Sequence, residues 1–212
     1  MRTITETKNI YKYEELSEEA KETVKQWYLN DELRTQDFEE ITFEGLHELF
    51  KNSKLKVQFS LNSCQGDGLN IYGKLNLMDV FTAIRNPENK ELFEKYNYEF
   101  SEYEQKTIEA YMKVCGNEIE LPCNNSGYCY CVADEVNFAN EWIEELQYCD
   151  YSNIKFDIIE KVESLIIEIF ETLSSTYEKI GYDYFYEVDE EELQEMCEFN
   201  EWEFLEDGTL YF

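Results

Sequence analysis

The sequence predicts an α+β fold in which an antiparallel sheet, built from hairpins, packs against several helices. Three observations predict it. Leu55, Val57, Phe59 and Leu61 alternate with polar residues up to Gln65-Gly66-Asp67-Gly68, and Leu69, Ile71, Gly73 and Leu75 alternate beyond it, the signature of two strands joined by a turn. Ile154, Ile158, Val162, Leu165, Ile166, Ile169, Leu173, Tyr177 and Ile180 form one apolar stripe at helical spacing, so one long helix lies in the C-terminal half. Other stretches carry helix caps. With 43% apolar and 16% aromatic residues, the chain has the means to bury a core.

Taken in order, residues 3–13 read as extended. Ser17 then caps a helix whose first turn holds Glu18 and Glu19 and whose buried face holds Leu16, Ala20, Val24, Trp27 and Tyr28. A second helix is expected at 38–52, followed by the hairpin of 54–62 and 69–75. Residues 79–116 read as helices, with Asn86-Pro87 as one start and Ser101-Glu102-Tyr103-Glu104 as a capping box at another. A second strand pair is expected at 118–121 and 128–132 around Asn124-Asn125-Ser126-Gly127. Asp134 is expected to cap a short helix bearing Val136, Ala139, Trp142, Ile143 and Leu146. The long helix should span about 40 Å and stop at Gly181, with Glu163, Glu168 and Glu171 in water. A helix at 190–199 and a hairpin from 201–205 through Asp207-Gly208 to 210–212 complete the chain. No repeat or linker divides it, so the expectation is a single domain over 1–212, with 79–116 a possible helical insertion.

Charge bears most directly on function. Forty-eight Asp and Glu face 18 Lys and Arg, a net charge of −30 on 212 residues. Residues 183–212 hold twelve acids and no Lys or Arg, yet eight aromatic residues lie among them. A solubilising tail has few aromatics, because nothing in it needs a core; here a folded surface should hold the carboxylates in place. Such a surface repels nucleic acid and anionic membranes and attracts basic proteins. Thirty charges match about 50 Å of duplex at one charge per 1.7 Å, comparable with a domain diameter of about 40–45 Å. Acidity also arises for solubility alone, and that reading stays open. Seven cysteines without a secretory leader point to reduced thiols in a cytoplasmic protein, and no stretch is apolar enough for a membrane span.

The chemistry expected from side chains is sparse. No phosphate-binding glycine loop is present. The single histidine, His47, reads as a residue at the core boundary. Cys115, Cys123, Cys129 and Cys131 cluster in sequence, but their spacing is not that of two zinc knuckles, and small buried thiols packing a sheet are the expectation. Carboxylate pairs carry no information among 48 acids. The chain therefore reads as a non-enzyme with no metal or cofactor.

Three segments carry a resemblance: residues 11–30 (YKYEELSEEAKETVKQWYLN), residues 59–73 (FSLNSCQGDGLNIYG), and the stretch from Gly181 that ends in Asn200-Glu201-Trp202-Glu203-Phe204 and Glu206-Asp207-Gly208. Together they resemble a recurrent family of uncharacterised acidic phage and prophage proteins, sometimes labelled antitoxin-like. After the turn that family tends to a small residue, Ser and an aromatic, where this chain has Leu69, Asn70 and Ile71. The resemblance implies a mobile-element setting and brings no catalytic residues. Whether Gln65 and Asp67 serve a site or only shape the turn stays open.

The function expected is that of a phage-type anti-defence protein, a nucleic-acid mimic that inhibits a basic host effector such as a CRISPR or restriction nuclease without touching nucleic acid itself. Glu190, Glu191, Glu192, Glu195, Glu198, Glu201, Glu203, Glu206 and Asp207 are the expected surrogate phosphates, and Tyr184, Tyr186 and Trp202 the expected stacking groups. The alternative is an antitoxin-like protein that covers a specific partner through a mixed apolar and acidic interface.

Overall fold

Ser17 opens the first helix as its sequence dictates: in the computed structural model its side chain accepts the Ala20 N–H at 3.3 Å. Residues 7–93 and 100–211 are described. They form an α+β fold of eight α-helices, a three-stranded antiparallel sheet and a short two-stranded one. The chain divides into two compact units, one formed by Met1–Phe38 with Gly181–Phe212 and the other by Glu39–Ile180.

The first unit takes its core from both ends of the chain. Helix α1, Glu18–Leu29, buries Ala20 and Val24. Helix α8, Glu190–Phe199, buries Leu193 and Cys197, and strands β4 (Glu203–Phe204) and β5 (Leu210–Tyr211) form the terminal hairpin. Tyr13, Leu16, Ala20, Val24, Leu193, Cys197 and Phe204 make one cluster, against which Trp27, Tyr28 and Trp202 pack. Tyr11 exchanges both backbone hydrogen bonds with Phe204, at 2.8 and 2.9 Å, so part of the stretch expected as extended pairs with the hairpin. Residues 1–6 and 212, to which the expected strands also reach, lie outside the described residues. Gly208 turns this hairpin at φ 84°, and a Cβ there would collide with the Ala20 carbonyl, so only glycine fits.

The second unit centres on the hairpin that the sequence predicts. Strands β1 (Lys54–Ser60) and β2 (Gly68–Asn76) pair with Val57 opposite Ile71. The turn is built by Asp67, whose carboxylate accepts from Ser60 Oγ and from the backbone N–H groups of Asn62 and Cys64, at 2.7–2.9 Å. Helices α3 (Leu77–Arg85), α4 (Lys90–Phe93) and α5 (Glu102–Cys115) occupy the 79–116 region, of which residues 94–99 lie outside the described residues. Both expected starts are present. Asn86 accepts from Glu88 N–H, and Ser101 and Glu104 exchange the two bonds of a capping box.

Several expectations change for identifiable reasons. The second helix, α2, runs Leu33–Leu49 rather than 38–52, because Asp31 accepts the Leu33 N–H at 3.0 Å and starts it early. Beyond its end, Asn52 and Ser53 turn instead to buried Asp79, at 2.7–2.8 Å. Strand β3, Glu118–Leu121, pairs with β2 and not with 128–132. Residues 128–132 form no strand because their backbone is engaged elsewhere: Cys129 N–H donates to the Gly66 carbonyl, Asn70 accepts the Val132 N–H and Asn124 donates to the Tyr130 carbonyl. Asp134 lies in a 3-10 turn, while α6 spans Phe138–Tyr148. The cap of α6 comes from outside it: Glu163, expected in water, is part-buried and accepts the Ala139 N–H at 2.8 Å. His47 is exposed and stacks on Phe43 instead of bordering the core.

The long helix α7 extends from Phe156 to Tyr186 and passes through Gly181 without stopping. Its buried stripe holds from Ile158 to Leu173, whereas Ile180 is exposed. Beyond Gly181, Tyr184 and Phe185 pack on Phe38 at ring distances of 5.7 and 5.2 Å. That aromatic burial favours helix over the glycine stop.

Candidate functional site: an acidic face and its cleft

Helix α8 owes its place to local signals. Asp189 caps it by accepting the Glu191 N–H at 2.8 Å, and Glu190, Glu191 and Glu192 fill the first turn, where the helix dipole favours anions. With Leu193 and Cys197 facing inward, helical spacing puts Glu191, Glu195 and Glu198 in one row on the opposite face. Successive carboxylates along that row stand about 4.5–6 Å apart along the axis.

The helix ends in a Schellman arrangement. Trp202 N–H donates to the Cys197 carbonyl at 2.9 Å and Glu201 N–H to the Glu198 carbonyl at 3.1 Å. The left-handed position, where glycine is usual, is held by Glu201 at φ 56°. The hairpin turn adds Glu206 and Asp207. Asp207 is also a turn-former: it accepts the Thr209 N–H, which holds its carboxyl below the usual range.

The expected site residues therefore fall into three groups. Glu191, Glu192, Glu195, Glu198, Glu201, Glu206 and Asp207 are exposed, and among the described residues no Lys or Arg pairs with them. Glu190 and Glu203 do pair, with Lys21 at 2.9 Å and Lys12 at 3.4 Å, and so are partly neutralised. The hydrogen bond to Glu190 is the main reason the Lys21 ammonium is held above its ordinary pKa. The aromatic set is a correction in part. Tyr186 is exposed, but Trp202 is half-buried, edge-on to Trp27 at 4.9 Å. Tyr184 stacks on Phe38, with the Arg34 guanidinium 4.2 Å from its ring centre. Tyr184 and most of Trp202 serve the unit's own packing. Phe199, not expected as a contact, is 85% exposed on α8 beside the row.

Sequence reading also missed a cleft of about 350 Å³ in the same unit, lined by Lys12, Tyr13, Glu14, Cys197, Glu198, Glu201 and Trp202. Its two halves lie more than 180 residues apart in sequence, and no local pattern announces that they meet.

Three of the thiols are held in the neutral form. Burial pushes Cys115 and Cys197 up to about 11 and raises Cys129, so they stay protonated and weakly nucleophilic. Cys115, Cys123, Cys129 and Cys131 are half-buried rather than fully buried. Among the described residues no three or more His, Cys, Asp and Glu are grouped to hold a metal ion, and no helix is long and apolar enough to cross a membrane. No family model, curated protein or solved structure matches the chain.

Proposed function

We propose that this chain is a binding protein whose acidic face stands in for the phosphates of nucleic acid and occupies the basic groove of a nucleic-acid-binding effector, such as a CRISPR or restriction nuclease. The observation that carries this reading is the set of exposed carboxylates on α8 and the following turns, with no Lys or Arg from Asp183 onward. Fixed on a capped helix, these charges keep their spacing, which a flexible tail does not do. Binding of this kind displaces counterions, so it weakens steeply with salt. The sequence resemblance implies a mobile-element setting, and an anti-defence role is our reading of what such a surface would do there. The acids act here as charges, and no proton transfer is assigned to them.

The test is affinity capture from a bacterial lysate at about 0.1 M salt, where salt-dependent binding is strong, followed by competition with duplex DNA. A nucleic-acid-binding protein that DNA displaces, and that the Glu191→Lys/Glu195→Lys variant no longer holds, is the expected result. A retained partner indifferent to DNA and to that variant overturns it. Phe199 favours a second reading, an antitoxin-like cover over a specific partner, in which Phe199→Ala weakens binding more than charge reversal does.

A further inference from the structure

The cleft beside the acidic face has a chemistry of its own. Trp202, Tyr13 and Cys197 give it apolar walls, and Glu14, Glu198 and Glu201 line it too, with Glu198 also accepting a hydrogen bond from Gln194 at 2.8 Å. Among the described residues Lys12 is the one cation lining it, and Glu203 engages that ammonium at 3.4 Å. The indole of Trp202 is held in place by Trp27 and lies 6.4 Å from Tyr28 between ring centres. A rigid aromatic wall with carboxylates around it suits a flat cation on an apolar stem, which stacks on the ring and forks to oxygen. The volume of about 350 Å³ lies at the small end of the range for ligand sites.

Glu201 lines the same cleft. It occupies the left-handed closing position of α8 at φ 56°, which strains a side chain and suits glycine.

We propose that this cleft binds an arginine side chain of the basic partner, with the guanidinium on Trp202 and its N–H groups directed at Glu14, Glu198 and Glu201. The proposal rests on the reading of the acidic face as a partner-binding surface, and it assigns that surface a specific anchor. The phosphate-like row of Glu191 and Glu195 supplies long-range attraction, and the cleft supplies the short-range fit.

The experiment is a two-dimensional NMR titration of the whole protein with N-acetyl-arginine amide, with the neutral citrulline analogue as control. Saturable movement of the Trp202 indole and Glu201 amide signals with the arginine probe alone is the expected result. Glu14→Gln/Glu201→Gln should weaken that binding about tenfold, as loss of charge-assisted hydrogen bonds implies. Glu201→Gly should weaken it while leaving the melting temperature equal or higher, which separates lost recognition from lost folding. Trp202 signals that stay still, or that follow citrulline equally, overturn the proposal. Failure here is distinct from failure of the acidic-face reading: if the cleft ignores arginine while DNA still displaces a captured basic protein, only the anchor falls.

Discussion

The two units carry the same net charge, −15 each, on very different amounts of chain. The first holds 21 Asp and Glu against six Lys and Arg in 70 residues; the second holds 27 against twelve in 142. They also use their acids differently. In the second unit several carboxylates do internal structural work. Asp79 gathers Asn52 and Ser53, Asp67 shapes the hairpin turn, Glu163 caps α6, and Glu104 closes a capping box while pairing with Lys161 at 2.8 Å. In the first unit Asp189 caps α8, Asp207 shapes the hairpin turn, and Glu190 and Glu203 pair, but the row on α8 faces water. Charge that is embedded in hydrogen bonds specifies a fold; charge that is displayed on a rigid helix is available to a partner.

The strongest test of this contrast is to damage each core separately. Phe170, fully buried against Phe50 at 5.4 Å, and Phe204, fully buried beside Trp27, should each cost about 3–5 kcal/mol when replaced by Ala. Hydrogen exchange should then show Phe204→Ala stripping protection from α1 and α8 while β1–β3 keep theirs; uniform loss would break the comparison.

The acids come next. Asp79→Ala leaves donors of Asn52 and Ser53 without their acceptor and should cost about 2–3 kcal/mol in urea unfolding. Glu195→Ala, on the displayed row, should change stability by less than about 0.5 kcal/mol. Equal costs at the two positions would erase the distinction between embedded and displayed charge.

Two smaller effects sharpen it. Glu201→Gly should stabilise the protein by about 1 kcal/mol, read as a higher urea midpoint, because it relieves the left-handed backbone. Glu104 should titrate by NMR with its pKa pushed down from 4.5 to about 2, chiefly by Lys161 and then by Ser101. A lowered carboxyl pKa means that its contribution to stability is complete above about 4.5 and is lost as pH falls toward 2. Lys161→Met should move that titration back up, and an unchanged titration would remove the Glu104–Lys161 pair from the account.

Ser17, Ser101, Asn86 and the Gln65–Gly68 turn were legible in the sequence because each acts on near neighbours in the chain, the farthest being Ser60, which donates to Asp67. The α8 row was legible for the same reason, since a helix with Leu193 and Cys197 inward leaves Glu191, Glu195 and Glu198 outward. The errors at 128–132, Gly181 and Glu163 share one cause. In each, a distant group changed the local outcome: Asn70 took the backbone that a strand would have paired, Phe38 rewarded helix beyond glycine, and the α6 terminus claimed a carboxylate expected in water.

By itself, then, the sequence determined the α+β class, the central hairpin, most helix starts and the uncompensated charge of the last thirty residues, all of which follow from periodicity, capping and composition. Tertiary structure alone decided that Asp79 and Glu163 are embedded and that Glu190 and Glu203 find cations. It also closed the Lys12–Glu14 segment onto α8 and Trp202 to make a cleft. Those outcomes depend on contacts between residues far apart in the chain, whose energies exist only once the intervening segments have folded and brought them together.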